Sequence, residues 1–74
     1  MNLATGTNPR GRLITYSVRD PRTGMPLFEF QAGRFSRKML LREARKHGIA
    51  LPLKVFWTTA NRWGFDSHAR LVEA

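Results

Sequence analysis

The sequence contains no cysteine. Without thiols the chain can form neither a disulfide nor a thiolate zinc site, and it has no cysteine nucleophile. Long apolar runs are also missing: no window approaches the roughly 18 apolar residues of a membrane span, and residues 1–12 lack the apolar core of a secretory signal peptide. We therefore expect a cytoplasmic protein that is stabilised by packing alone and does not associate with a membrane.

Acidic residues are scarce as well. Thirteen Lys and Arg side chains stand against five Asp and Glu, so the formal net charge is +8 on only 74 residues. This excess predicts an acidic partner, and phosphates are the most common multivalent anions that a cytosolic protein meets. Because 42% of the residues are hydrophobic, the chain can still fold as one domain and is not a simple polycationic tail.

Groups that could carry catalysis are few and scattered. The histidines are His47 and His68, and Ser67, next to the second, would project from the opposite face of a strand. Asp66 and His68 can share a strand face, but two ligands without a third do not make a convincing metal site. There is no GxGxxG or P-loop pattern. We therefore expect no enzymatic activity, no cofactor and no metal.

The first half of the sequence predicts a β-hairpin. Residues 13–18 alternate, with Ile14, Tyr16 and Val18 on one face, as in a half-buried strand. Proline, glycine and aspartate in residues 20–26 are typical of a turn, and residues 27–31 alternate again. Two such runs this close together favour antiparallel pairing.

A change of period after this hairpin predicts a helix over residues 37–47. Ser36 is a good N-cap, because its hydroxyl can accept a hydrogen bond from the first turn, and Gly48 suits the left-handed position after the helix. At 100° per residue, the apolar and basic side chains separate onto two sides of this helix. The apolar side consists of Leu40, Leu41 and Ala44.

The remainder of the sequence predicts a second hairpin. Residues 53–58 alternate and are rich in β-branched and aromatic side chains, which favours a third strand. We place a loop at residues 61–66 and a short fourth strand at residues 69–73, with Leu71 facing inward. The predicted fold is therefore an α+β two-layer ββαββ sandwich, one helix on an antiparallel sheet of three to four strands.

The domain organisation follows from this order of elements. Residues 1–11 are small, polar and turn-forming, with no period of two or 3.6 residues, and we interpret them as a flexible basic arm. Residues 12–74 then form the single domain.

Cations are densest between Arg34 and Lys46. These thirteen residues hold six cations against Glu43 alone, a net charge of +5. Four of the cations recur every four residues, so like charges would stack on one helix face at a cost of about 0.2–0.5 kcal/mol per adjacent pair. A polyanion would remove this repulsion. The predicted residues for binding nucleic acid or an acidic partner are Arg34, Arg37, Lys38, Arg42, Arg45, Lys46, Arg62 and Trp63.

The alternative interpretation of these cations is that they only keep a small protein soluble. Against it, a face that serves solubility usually mixes charges of both signs, whereas this one is nearly free of acids. Further arginines are scattered through the predicted arm and first turn, where ordinary exposed positions explain each one equally well. They are Arg10, Arg12, Arg19 and Arg22.

Aromatic side chains divide between the predicted core and the surface. Phe56 shares a strand face with Lys54, opposite the core face, and Trp63 follows Arg62 in the second loop. Exposed aromatics beside cations can stack on unpaired bases, but they can equally anchor a protein interface. The predicted core aromatics are Phe28, Phe30 and Trp57.

Two functions fit these features. The first is a small non-enzymatic module that binds DNA or RNA through phosphate contacts of its basic helix. The alternative is an inhibitor of phage or mobile-element type that occludes a host complex, such as RNA polymerase or a CRISPR-type defence complex, because about 800 Å² of surface is enough for such docking. In both cases we expect a monomer or a weak homodimer.

Overall fold

Four strands and one helix follow one another in the computed structural model, which describes residues 13–74 except for the side chain of Asn61. The strands pair in the order β2-β1-β3-β4 as one antiparallel sheet, and the helix packs on one face of it. The predicted ββαββ architecture is thus confirmed. The elements are β1 (Ile14–Arg19), β2 (Pro26–Ala32), α1 (Arg37–Lys46), β3 (Leu53–Asn61) and β4 (Gly64–Val72).

The β1–β2 hairpin closes through the turn residues that the sequence indicates. The Asp20 side chain accepts a hydrogen bond from the backbone N–H of Arg22 at 2.8 Å, and the backbone carbonyl of Asp20 accepts one from the N–H of Gly24 at 2.7 Å. Gly24 has a φ of 74°, a left-handed conformation that glycine adopts without steric cost. The predicted hairpin is confirmed, but β1 ends one residue later than predicted and therefore includes Arg19.

All the buried hydrophobic residues of the described part of the chain lie either on the sheet face that α1 covers or on α1 itself. The strand registers put Tyr16 beside Phe30, and Val18 beside both Phe28 and Val55. This confirms the predicted core face of the first hairpin. The buried core consists of Tyr16, Val18, Phe28, Phe30, Ala32, Leu40, Ala44, Leu53, Val55 and Val72, with Trp57 partly buried against it.

Helix α1 has the predicted caps. Ser36 has extended backbone angles, and its Oγ accepts a hydrogen bond from the N–H of Met39 at 3.3 Å. At the other end, Gly48 has a φ of 69° and the N–H of Ile49 donates to the carbonyl of Ala44 at 2.9 Å, which is a Schellman motif. The helix ends at Lys46, one residue earlier than predicted.

The predicted form of the second hairpin is wrong. β3 and β4 pair along nine residues each, and the turn between them is only Arg62 and Trp63. The fourth strand therefore begins at Gly64, inside the predicted loop. Because almost every residue of β4 is exposed, its side chains show no apolar alternation from which its length could be predicted.

The predicted orientation of Leu71 is also wrong. Leu71 pairs with Lys54 and is 51% exposed, whereas Val72 pairs with the buried Leu53 and is itself buried. The physical reason is the register: shifting a strand by one residue exchanges its two faces.

Burial of the single tyrosine makes the stability of the fold depend on pH. Tyr16 is 1% exposed and packs between Phe30 and Trp57, with ring centroids 5.3 Å from each. Burial disfavours the charged phenolate and so raises the pKa of Tyr16 above its ordinary value of about 10. The folded pKa thus exceeds the unfolded one, and this contribution to stability is complete below about pH 10 and is lost as pH rises through the folded pKa.

We therefore expect the free energy of unfolding to fall above about pH 10, and Tyr16→Phe to remove that part of the dependence. Urea unfolding of both proteins across this range measures the difference. Since the chain has one tyrosine, tyrosinate absorbance reports its titration directly. Ionisation at about pH 10 in a protein that is still folded would contradict the expectation.

Candidate nucleic-acid interface

The outer side of α1 carries exposed cations. Helical spacing of 100° per residue places Lys38, Arg42 and Arg45 on the side opposite the buried Leu40 and Ala44, and the three cations are exposed. The apolar contacts of Leu40 and Ala44 thus determine which way the basic side chains project. We call Lys38, Arg42, Arg45 and Lys46 the cationic helix face.

Acidic side chains neutralise little of this face. Lys46 Nζ lies 3.1 Å from Glu43 Oε2, one turn away on the same helix. For Lys38, Arg42 and Arg45, the described part of the chain provides no carboxylate within 4 Å. The first turn holds no acid, although the positive end of the helix dipole lies there and Lys38 adds to it. Three cations therefore remain available to an external anion.

Two of the predicted residues lie outside this face. Arg34 is exposed but precedes the N-cap, so it does not join the stack of cations at four-residue intervals, contrary to the prediction. Arg37 is in the first turn of α1, where helical spacing places it toward the side of Leu40 and Ala44, and its Nη1 donates a hydrogen bond to the carbonyl of Glu73 at 3.1 Å. Neither residue is therefore part of the cationic helix face.

The structure does not bring Arg62 and Trp63 to the helix. They form the β3–β4 turn, where Trp63 is 89% exposed. This turn begins five residues beyond Trp57, the last residue of β3 that packs against the core, which is about 16 Å along an extended strand. Of the eight predicted residues, four thus form the cationic helix face, Arg34 and Arg37 lie outside it, and Arg62 and Trp63 form a separate hairpin tip.

The scattered arginines have different surroundings. Arg10 and Arg12, with the predicted arm, lie outside the described residues. Arg22 is exposed in the β1–β2 turn, as predicted. Arg19 is not in that turn: it is the last residue of β1 and lies beside Phe56 of β3.

Sequence reasoning placed Lys54 and Phe56 together on the sheet face opposite α1, but it missed the third member of this group, Arg19. The guanidinium carbon of Arg19 lies 5.2 Å from the centroid of the Phe56 ring, and Lys54 Nζ lies 5.6 Å from it. Lys54 and Phe56 are two residues apart on one strand, so their shared face was readable from the sequence. Arg19 joins them through the pairing of β1 with β3, for which the sequence offers no local signal.

His68 forms contacts within the fold. His68 Nε2 lies 2.9 Å from Thr59 Oγ1, and the imidazole stacks on Trp57 with centroids 5.3 Å apart. Within residues 13–74, no three His, Asp or Glu side chains converge in a way that could hold a metal ion. No helix in this part of the chain is long and apolar enough to span a membrane.

No protein-family model, no curated protein and no solved structure matches this chain.

Proposed function

We propose that this protein is a non-enzymatic nucleic-acid-binding module whose cationic helix face contacts the phosphate backbone. The observation that carries the proposal is the exposed group Lys38, Arg42 and Arg45, with no carboxylate within 4 Å in the described part of the chain. Solubility alone does not require such an arrangement, because interspersed charges of both signs serve it equally well.

Helix energetics point in the same direction. Lys38 and Arg42 are four residues apart, as are Arg42 and Lys46, and each like-charged pair costs about 0.2–0.5 kcal/mol in an isolated helix. Phosphates placed against this face would turn the repulsion into attraction. Lys38 and Arg45 lie about 10 Å apart along the helix axis, and B-DNA carries one charge per roughly 1.7 Å of its length, so several phosphates are within reach.

Base recognition has fewer candidates than phosphate contact. Arg37 is held by the carbonyl of Glu73, whereas the guanidinium of Arg45 is exposed and has no carboxylate within 4 Å in residues 13–74. A helix about 10–12 Å across fits the major groove, where an arginine can donate two hydrogen bonds to guanine. Arg45 is therefore the residue of this face through which we expect any sequence preference to arise.

The salt dependence of binding tests the phosphate mechanism. For duplex DNA we expect the logarithm of the affinity to fall with the logarithm of salt concentration at a slope of about −2.7, from three phosphate contacts. If the salt bridge between Lys46 and Glu43 opens and Lys46 makes a fourth phosphate contact, the slope is about −3.6. Fluorescence anisotropy with labelled duplex DNA, single-stranded DNA and RNA measures it. Tight binding with almost no salt dependence would contradict the mechanism, and no binding at low salt would end the proposal.

A second candidate function rests on the hairpin tip. Trp63 is 89% and Phe65 76% exposed, with Arg62 beside them, and Trp and Arg are the residue types that most often anchor protein interfaces. These side chains favour an inhibitor that docks on a larger nucleic-acid-handling complex, such as RNA polymerase or a CRISPR-type defence complex. Absence of binding to all three nucleic acids at low salt, with inhibition of such a purified complex, would support this function instead.

A further inference from the structure

The sheet face opposite α1, which we call the open face, has no second layer within the described part of the chain. Strand alternation places Phe56, Thr58 and Ala60 of β3 on it, and the pairing adds Ser17 from β1 and Ser67 from β4. The core lies entirely on the other side. A partly buried phenylalanine is therefore surrounded here by small and hydroxylated side chains, at the surface of the molecule.

Two cations, Arg19 and Lys54, contact the Phe56 ring from one side. Arg19 and Lys54 are cross-strand partners, two residues along the strands from the pair Ser17 and Phe56, and both approach the ring to within 6 Å. No carboxylate of residues 13–74 lies within 4 Å of either cation. The Nε of Arg19 is buried and has no hydrogen-bond acceptor in this part of the chain, so the ring is the contact that orients its guanidinium.

A shallow depression lies on the other side of the ring. It has a volume of about 270 Å³, and its lining residues are Thr15, Ser17, Phe56, Trp57, Thr58, Ser67 and His68. This volume is slightly below the range of about 300–1,000 Å³ for pockets of drug-sized ligands, so it suits one small planar group. Its hydroxyls can both donate and accept hydrogen bonds, as the edge of a nucleobase requires.

The depression continues toward a second aromatic side chain. An adjoining hollow of about 330 Å³ shares Thr15 and Thr58 with the first and ends at Phe65, which is 76% exposed. Phe65 pairs with Ala60, four residues along β3 from Phe56, so the two rings are separated by about 13 Å along the strands. The open face thus presents two aromatic platforms joined by a shallow track, with cations at one end.

The charges on this face indicate what fills the track. Glu29, opposite Ser17 in the edge strand β2, is the acidic side chain that the described strands place on the open face. Glu29 borders the depression beside Ser17, but it is exposed, and the two cations Arg19 and Lys54 outnumber it on this face. An aromatic ring between unpaired cations and polar hydroxyls is what a single strand of nucleic acid needs, since bases stack on the ring and phosphates meet the cations.

We propose that the open face binds unpaired bases of a single-stranded nucleic acid, with one base stacked on Phe56 and its phosphates near Arg19 and Lys54. This inference rests on the proposed function and deepens it, because it assigns single-stranded segments to the sheet and backbone phosphates of a duplex to the helix. A structure with both elements, such as a duplex with an unpaired end, would contact opposite faces of the domain.

The test compares single-stranded oligothymidine of about 12 nucleotides with a duplex of the same length. Phe56→Ala is expected to weaken binding of the single strand about 5- to 150-fold and to change duplex affinity less than about twofold. Phe56→Tyr keeps an aromatic face and should restore the affinity. Leu71→Ala is the matched control, because Leu71 is an exposed apolar residue of the same face without a π system.

A chemical-shift map of the wild-type protein gives a readout that does not depend on how well variants fold. Oligothymidine should shift the amide signals of Ser17, Phe56, Thr58 and Ser67, whereas duplex DNA should shift those of α1. Shifts confined to α1 with both ligands would overturn the inference. So would equal losses in Phe56→Ala and Leu71→Ala, or failure of Phe56→Tyr to restore binding.

The remaining outcomes separate this inference from the proposed function. Binding of duplex and single strand alike, with no effect of Phe56→Ala, would end the inference and leave nucleic-acid binding intact. No binding to any nucleic acid at low salt would end both. Sedimentation analysis tests whether a second copy of the chain binds the open face instead. If the wild type is a dimer that Phe56→Ala converts to monomers, and the affinity for oligothymidine is unchanged, the open face is a dimer interface and the inference is overturned.

Discussion

Replacing both Arg42 and Arg45 by Glu is expected to weaken duplex binding at least about 100-fold at about 0.1 M salt. Loss of two phosphate contacts accounts for about 60-fold of this through counterion release, and repulsion between the new carboxylates and the phosphates adds the rest. Both side chains are exposed on the side of α1 away from the core, so the fold should be unaffected. Anisotropy titration measures the affinity, and thermal unfolding checks the fold.

The matched control replaces Arg22 and Arg62, which lie in the two hairpin turns, by Glu. Both double variants carry a net charge of +4, four units below the +8 of the wild type. If binding depends on the cationic helix face, the control should lose no more than about tenfold, because only the long-range attraction falls. Equal losses in the two variants would mean that net charge alone drives binding and would remove the helix from the proposed interface.

Leu40→Ala is expected to lower the free energy of unfolding by about 2–5 kcal/mol. Leu40 is 0% exposed and lies between α1 and the sheet, so its loss removes apolar contacts and leaves a cavity beneath the helix. At about 0.05–0.15 kcal/mol per residue, the described residues 13–74 have a total stability of about 3–9 kcal/mol, so the variant loses a large fraction of it. Nucleic-acid binding should fall with it, since the position of the cationic helix face depends on this packing.

Urea unfolding followed by circular dichroism measures this change. Leu41→Ala is the matched control: it makes the same substitution at the next position of α1, where the side chain is only partly buried. We expect it to cost about 1 kcal/mol or less, because alanine also has the higher helix propensity. A loss at Leu40 no larger than at Leu41 would show that the helix contributes little to the core.

The features that the sequence predicted correctly depend on neighbours in the chain. Ser36 and Gly48 mark the ends of α1 because the capping hydrogen bonds join residues only three to five positions apart. Strand alternation predicted which residues of β1 and β2 face the core. The placement of cations on α1 was predictable for the same reason, since helical spacing alone separates Lys38, Arg42 and Arg45 from the apolar side.

The features it did not predict depend on pairing between distant segments. β4 is held by its backbone hydrogen bonds to β3 rather than by burial of its side chains, so neither its length nor the exposure of Leu71 follows from its hydrophobicity. Residue type alone groups Arg62 and Trp63 with the helix cations, yet the long hairpin places them away from α1.

The amino-acid sequence alone determines the net charge, the absence of cysteine and the amphipathic pattern of the helix, because composition and local spacing do not change on folding. The grouping of Arg19 with Phe56 and Lys54 is not such a property. It exists because β1 lies between β2 and β3, so that residues 35 or more positions apart share one surface. Local spacing therefore specifies the cationic helix face, and strand order creates the open face on the other side of the same domain.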